Sequence, residues 1–348
     1  VIQVGCHPRW VRAAKIVAVV YPLALLATTL ALCTIGERWW ITTVALYLPR
    51  IAFAAPLPFA LGALFALRLR RWLWTQLPAV LLLAFPLLGF VLPWPHGSAS
   101  GASTIRVLSY NVDSGLGGVE RVVEEIDRFA PDVVLLQETG HNEGFEPLLR
   151  ARFATVSVVD QFVLATRYPL STLTGPDKIP FEGRQRSPRF LRYVLDTPRG
   201  PLVVYNVHPV SPREDFAALR GKNGFVREVL SGRVLSGASA PRIQANSDLR
   251  ALQVATFTDA ARHESGPVVI AGDTNLPGLS PVLARNVSGF VDGFTEAGWG
   301  LGYTYPNDRR PWMRIDRVLG SGGVRFSGFQ VGDSKASDHL CVVADVRW

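Results

Sequence analysis

A chain of 348 residues with 31 glycines, 25 prolines and three cysteines is long enough for one large core plus an accessory segment, and its few cysteines exclude a disulfide-built scaffold. The 36 basic and 28 acidic residues give a formal charge of +8, yet eight of the bases and only one acid, Glu37, fall within the first 100 residues. The remainder, with 28 bases and 27 acids, is nearly neutral, which argues against nonspecific binding of a nucleic-acid backbone.

Residues 1–95 are almost continuously apolar, and crossing a bilayer takes about 20 such residues in a helix. The stretches 16–36, 51–67 and 77–94 come close to that length and predict an all-α membrane anchor of three transmembrane helices. Trp39, Trp40, Trp72, Trp74 and Trp94 fall near the span ends, where indole rings favour the interface. Arg9, Arg12 and Lys15 precede the first stretch, and Arg68, Arg70 and Arg71 lie between the second and third, so the N-terminus is expected on the cytoplasmic side. Three spans then place the rest of the chain outside the cytoplasmic membrane; a cleaved signal peptide is the alternative for the first stretch. Residues 96–103 are small and turn-forming and read as a linker.

Beyond the linker, 104–110 alternates as a half-buried strand and delivers Asn111 to a glycine-rich loop. Val119, Val122, Val123, Ile126 and Phe129 recur at helical spacing until Pro131, and an apolar run then ends at Leu-Gln-Glu138. A strand is expected over 162–166. Two more, at 192–196 and 202–207, flank a hairpin turn, and the second ends at His208. A helix is expected over about 247–264, capped by Asn246 or Ser247. The run from Val268 leads into Gly272-Asp273-Thr274-Asn275, and strands over 314–319 and 340–346 carry Asp316 and follow Asp338-His339. The pattern predicts an α/β (α+β) domain over 104–348, two packed β-sheets flanked by helices in a four-layer sandwich.

Each motif ends a strand with a group suited to phosphoester chemistry. Glu138 is the main metal-ligand candidate, because a hard cation such as Mg²⁺ or Mn²⁺ prefers carboxylates, phosphate oxygens and water, and Asn111 can orient the same ion. Asp273 and Asn275, two residues apart, can hold one water for attack on phosphorus, Asp273 as base and Asn275 as orienting group. His208 and His339 can supply protons or hydrogen bonds to phosphoryl oxygens, and Asp316 or Asp338 can fix the tautomer of His339.

In this order, the motifs resemble those of the endonuclease/exonuclease/phosphatase superfamily over residues 104–348. The resemblance implies that Asn111 and Glu138 sit at the metal, His208 and His339 at the scissile phosphate, Asp273 and Asn275 at the attacking water. It also implies that Asp316 pairs with His339, with Asp338 near the metal or its water. The family's common Gly-Asp-Phe-Asn reads Gly-Asp-Thr-Asn here, a change that spares both functional side chains. The architecture is similar to membrane-bound members linked to teicoplanin resistance. The expected function is a Mg²⁺- or Mn²⁺-dependent phosphoester hydrolase, anchored in the bilayer by its N-terminal helices and acting outside the cytoplasm on a phosphorylated, lipid-linked substrate. Arg184, Arg186, Arg189, Arg309 and Arg310 are candidates to line its mouth. A membrane-tethered nuclease is the alternative, with nucleic acid as its partner; a binding module that kept the fold is a third, and it would show lost ligands.

Overall fold

The computed structural model describes residues 8–92, 104–140, 143–213 and 240–348. The expected linker 96–103, Trp94, Cys6, His7, His96 and His141 lie outside the described residues. The chain forms two compact units, one of residues 1–90 with 278–281 and one of 91–277 with 282–348.

In the first unit, only the first expected span is a continuous helix of spanning length, α1 (Pro8–Thr34), 27 residues long. The expected 51–67 span is instead a 3₁₀ turn, Arg50–Ala54, followed by α3 (Pro56–Ala66). Together they are bent by 89° from α2 (Trp40–Tyr47). The expected 77–94 span contains α4 (Leu77–Leu82) and a π turn, Leu83–Leu87, around Pro86. Among the described residues three unbroken transmembrane helices are therefore not formed: one helix is long and apolar enough to cross a bilayer, or two if the bent pair is counted as one span. Prolines 49, 56, 58, 78 and 86 lack the amide donor and crowd the preceding turn, so apolar composition here does not bring helical continuity. On α1, Ala18, Tyr21, Leu25, Thr29 and Leu32 are buried at helical spacing, while Ile16, Val20, Leu23 and Leu30 are exposed. The helix is thus apolar on its packed and its open faces alike.

The second unit is built on two six-stranded sheets. One runs β13-β14-β1-β2-β4-β3, the strands being β1 (Ile105–Asn111), β2 (Val133–Gln137), β3 (Thr155–Val159), β4 (Phe162–Thr166), β13 (Arg325–Val331) and β14 (Val342–Arg347). The other runs β11-β12-β10-β9-β8-β5, with β5 (Leu170–Thr174), β8 (Phe190–Thr197), β9 (Gly200–Val207), β10 (Val268–Asp273), β11 (Val291–Asp292) and β12 (Asp316–Ser321). A small hairpin of β6 (Ile179–Phe181) and β7 (Arg184–Arg186) stands apart. The pairs β1/β2 and β9/β10 are parallel and the other pairings antiparallel, so both sheets are mixed.

Alternation along the strands sets the layers. Val107, Val133, Leu135, Val204, Val269, Ala271, Val318 and Ala344 share one core cluster drawn from both sheets, the layer between them. The intervening Leu108, Tyr110, Val134 and Leu136 pack with Val122, Ile126 and Leu149 of α5 (Val119–Phe129) and α6 (Phe145–Arg150). On the far side, Tyr205, Val207 and Ile270 pack with Val254, Phe257 and Ala261 of α7 (Ala240–Arg262). Helices therefore cover both outer faces, which is why the central strands read as unbroken apolar runs. The expected helix 247–264 begins by Ala240. Asn246 is inside it and not a cap: its side chain donates to the Ser211 carbonyl and accepts from Arg250. Two short helices, α8 (Pro281–Asn286) and α9 (Gly293–Ala297), complete the described elements.

Candidate active site

Strand register brings the functional groups together. Asn111 is paired with Gln137 across parallel β1 and β2, which places Glu138 beside it at the carboxyl end of the first sheet. Val207 is paired with Gly272 across parallel β9 and β10, so His208 leaves the second sheet beside Asp273. Asp273 and Asp316 are direct partners across antiparallel β10 and β12. The glycine before Asp273 is required by the close approach of β9: at its φ of +152°, a Cβ would lie 1.9 Å from the Val207 carbonyl oxygen. Glu138 and Asn275 turn off their strands at φ of 53° and 50°, left-handed values that non-glycine residues adopt at modest cost.

The side chains then converge. The Asn111 amide nitrogen donates to Oε1 of Glu138 at 3.0 Å and to Oδ2 of Asp273 at 3.2 Å. Nε2 of His208 lies 3.1 Å from Glu138 Oε1 and 3.7 Å from Asp273 Oδ2. His339 approaches the same Asp273 oxygen with Nε2 at 3.7 Å, and its Nδ1 is 2.9 Å from Asp316 Oδ2. Asn275 donates its backbone amide to Asp273 Oδ1 at 2.8 Å and its side-chain nitrogen to the Pro209 carbonyl at 3.0 Å. Asn111, His208, Asp273, Asn275, Asp316 and His339 are buried, and Glu138 is half-buried.

Two overlapping triplets, Glu138 with His208 and Asp273, and Asp273 with Asp316 and His339, each bring three candidate ligand atoms within 4.8 Å of one another. A divalent cation fits this donor set. The carboxylates supply the hard oxygens that such an ion prefers, and Nε2 of His208 points at the Glu138 carboxylate among them. The electrostatics agree. Burial pushes the Asp273 carboxyl above its ordinary range, with Asp316 adding to the effect, so the site strains against its own negative charge. Burial also acts to raise Glu138, but the His208 hydrogen bond and charge outweigh it and hold this carboxyl at about 2. Burial disfavours the His339 cation, yet Asp316 and Asp273 outweigh that penalty and raise its pKa.

Of the residues expected at the metal, Asp338 is placed differently. Its carboxylate belongs to neither triplet and instead pairs with Arg213, Nη1 to Oδ2, at 3.0 Å. The remaining residues form one cluster.

Several supporting residues carry little sequence signal. Gln161, in the turn between β3 and β4, accepts at 2.6 Å from Nδ1 of His208 and so orients the ring. Tyr305 lies against His339 with ring centroids 4.6 Å apart. Beneath the cluster, the buried Gln137 amide donates to Asn206 Oδ1 at 2.7 Å, and Asn206 donates to the Leu136 carbonyl at 3.0 Å, a polar tie between the two sheets. The one available signal for that tie is an amide side chain at the end of β2 and another one residue before the end of β9, in otherwise largely apolar strands.

Residues 108–339 match the Endonuclease/Exonuclease/phosphatase family. Among solved structures, SmcL is similar at 12% identity over 70% of this chain and 99% of its own, with a TM-score of 0.52. An endonuclease/exonuclease/phosphatase from Beutenbergia cavernae is 19% identical over 71% of this chain and 72% of its own, with a TM-score of 0.49. Sphingomyelinase C from Streptomyces griseocarneus is 16% identical over 70% and 99%, with a TM-score of 0.47. The SmcL likeness shows a shared fold. No curated protein matches the chain.

Proposed function

Since the chain belongs to the endonuclease/exonuclease/phosphatase family and is thereby a metal-dependent phosphoester hydrolase, we propose that it works while anchored in the cytoplasmic membrane, on a lipid-linked phosphate or pyrophosphate presented at the outer surface. The observation that carries this reading is the coexistence of the buried Glu138–His208–Asp273–Asp316–His339 cluster with a 27-residue helix that is apolar on both its packed and open faces.

In the proposed reaction, Asp273 takes a proton from the attacking water, and Asn275, tied to the same turn, orients it. Glu138, with Asn111 beside it, would hold Mg²⁺ or Mn²⁺, and the bound ion would offset charge on the phosphoryl oxygens. Nε2 of His208 and of His339 face the space in front of these carboxylates, where they donate to the phosphoryl group as its charge develops, and the ester P–O bond breaks with the leaving oxygen taking a proton from one of them. Asp316 holds the His339 ring in place from behind.

The anchor follows from α1, and a single span suffices for the proposed orientation. Arg9, Arg12 and Lys15 lie at its start and keep that end cytoplasmic, so one span and three spans alike carry the catalytic unit outward. The proposed division is a membrane anchor over 1–95, a linker over 96–103 and a catalytic domain over 104–348, which accords with the break between compact units after Phe90. A linker this short keeps the site among lipid head groups.

The test is a substrate panel on detergent-solubilised full-length protein with Mg²⁺: a polyprenyl pyrophosphate, a phospholipid, duplex DNA and single-stranded RNA. Turnover of the lipid phosphates is expected, and prompt cleavage of DNA without lipid turnover refutes the substrate class. Reporter fusions at residue 100 test the topology, and activity there of a reporter that works only in the cytoplasm refutes it.

A further inference from the structure

We propose that Arg213 selects substrates by charge, its guanidinium leaving Asp338 to grip a non-bridging oxygen of a dianionic phosphate, so that monoester and pyrophosphate ends are favoured over diesters. This rests on the phosphoesterase reading and names the substrate class that the site takes.

The backbone carrying Arg213 is firmly held. Val210 donates its amide to Gln253 Oε1 at 2.8 Å, and its carbonyl accepts from Arg250 Nη1 at 3.2 Å. The Ser211 carbonyl accepts from Asn246 at 3.0 Å, and the Arg213 amide donates to Ser211 Oγ at 3.2 Å. Gln253 and Arg250 are buried in α7, so residues 209–211 are tied to that helix. The other end of the pair is equally anchored. The Asp338 carbonyl accepts from Asn307 at 2.6 Å, and the Asn307 side chain donates to the carbonyls of Ser334 at 2.7 Å and Ser337 at 3.0 Å.

Between these points the Arg213 side chain is 64% exposed, against 14% for that of Asp338. An exposed ion pair of this kind contributes little stability and exchanges readily, and the guanidinium presents five donors in a fork that matches a phosphate. Position adds to the case. Asp338 directly precedes His339, whose Nε2 faces the catalytic carboxylate of Asp273, and the charges of Asp113 and Glu138 also act on Arg213. An arriving phosphate meets a site crowded with carboxylates. A diester carries a single negative charge, which the groups at the centre are placed to receive, whereas a monoester or terminal pyrophosphate brings a further charge that needs a cation of its own. Arg213 is placed to supply it.

The experiment compares wild type, Arg213→Ala and Arg213→Lys, each as full-length protein in detergent with Mg²⁺, on p-nitrophenyl phosphate and bis-p-nitrophenyl phosphate. Arg213→Ala is expected to lower kcat/KM on the monoester by roughly 10- to 100-fold, mainly through KM, while the diester changes by less than about threefold. Arg213→Lys is expected to recover part of the loss. Binding is read separately, by calorimetry with inorganic phosphate and dimethyl phosphate: wild type prefers inorganic phosphate, and Arg213→Ala loses that preference. Equal losses on both esters, or an unchanged ratio, overturn the proposal. A wild type inactive on both esters removes the phosphoesterase reading instead, and the phosphate-binding preference then decides for or against Arg213.

Discussion

Oδ2 of Asp316 lies 2.9 Å from Nδ1 of His339, and both side chains are buried. A carboxylate only accepts in such a contact, so the Nδ1 proton is fixed and Nε2 is turned toward Asp273. Asp316→Asn keeps the shape of the pair but removes the negative charge that holds the protonated ring, and one of its two former acceptor positions becomes a donor. Turnover is expected to fall roughly a hundredfold, with melting temperature and circular dichroism close to wild type. Unchanged kcat would show that Asp316 does not position the histidine.

Asp273→Asn removes the proposed base and should lower kcat by roughly a hundredfold or more without loss of fold. The measurement is steady-state kinetics on any substrate that the wild type turns over, paired with thermal melting. Wild-type turnover in this variant would refute the assignment.

Metal dependence is expected in stability as well as in rate. EDTA should abolish turnover, and Mg²⁺ or Mn²⁺ should restore it. Saturating metal should also raise the melting temperature of the wild type, because a ligand bound only by the native state stabilises it. In Glu138→Gln that rise is expected to shrink sharply, and an equal rise in both proteins would place the ion elsewhere.

Asp292 gives a prediction on acid stability. Burial acts to raise its pKa, but Arg314 at 2.8 Å and Arg317 at 3.0 Å outweigh it and hold the carboxyl below its ordinary range; the same side chain caps α9. A carboxyl depressed in the native state contributes stability that is fully present above its unfolded pKa of about 3.9 and is lost as pH falls through the lower native value. Asp292→Asn should therefore lower stability by about 3 kcal/mol at neutral pH, where it strands the buried Arg317, and should flatten the acid limb of the stability profile. Denaturant melts between pH 2.5 and 7 read both effects.

Gly272→Ala places a methyl group against the Val207 carbonyl. A loss of about 3 kcal/mol is expected, since the crowding atom belongs to the backbone of a paired strand and cannot rotate away. A melting temperature within a degree of wild type would show that β9 and β10 separate more easily than their register implies.

The elements legible in the sequence are those whose pattern is local. Residues 133–137 and 162–166 announce themselves as apolar runs, 105–111 by its alternation, and α5 because its valines recur at helical spacing. The cluster was legible for a related reason: Asn111, Glu138, His208 and Asp273 end or directly follow such strands, Asp316 opens another, and His339 stands just before one. Edge strands β3, β5 and β13 are half-exposed, so their alternation is diluted by polar residues and gives no comparable signal. The anchor is legible as apolar but not as broken, because hydropathy averages over prolines whose effect is geometric. Arg213 and Gln161 lie outside the strands, and such residues are placed by tertiary contacts that no strand periodicity records.

Asn111 and Glu138 hang from the rim of one sheet, and His208, Asp273 and Asp316 from the rim of the other. Beneath the Gln137–Asn206 tie and the contacts within the cluster, the described residues between the sheets are largely interleaved valine and leucine side chains. The catalytic centre therefore acts as a caliper on the gap between the layers. Shaving a methyl at Val107 or Val269, well below the rim, alters how far the jaws stand apart, and hydrolysis reports the change before unfolding does.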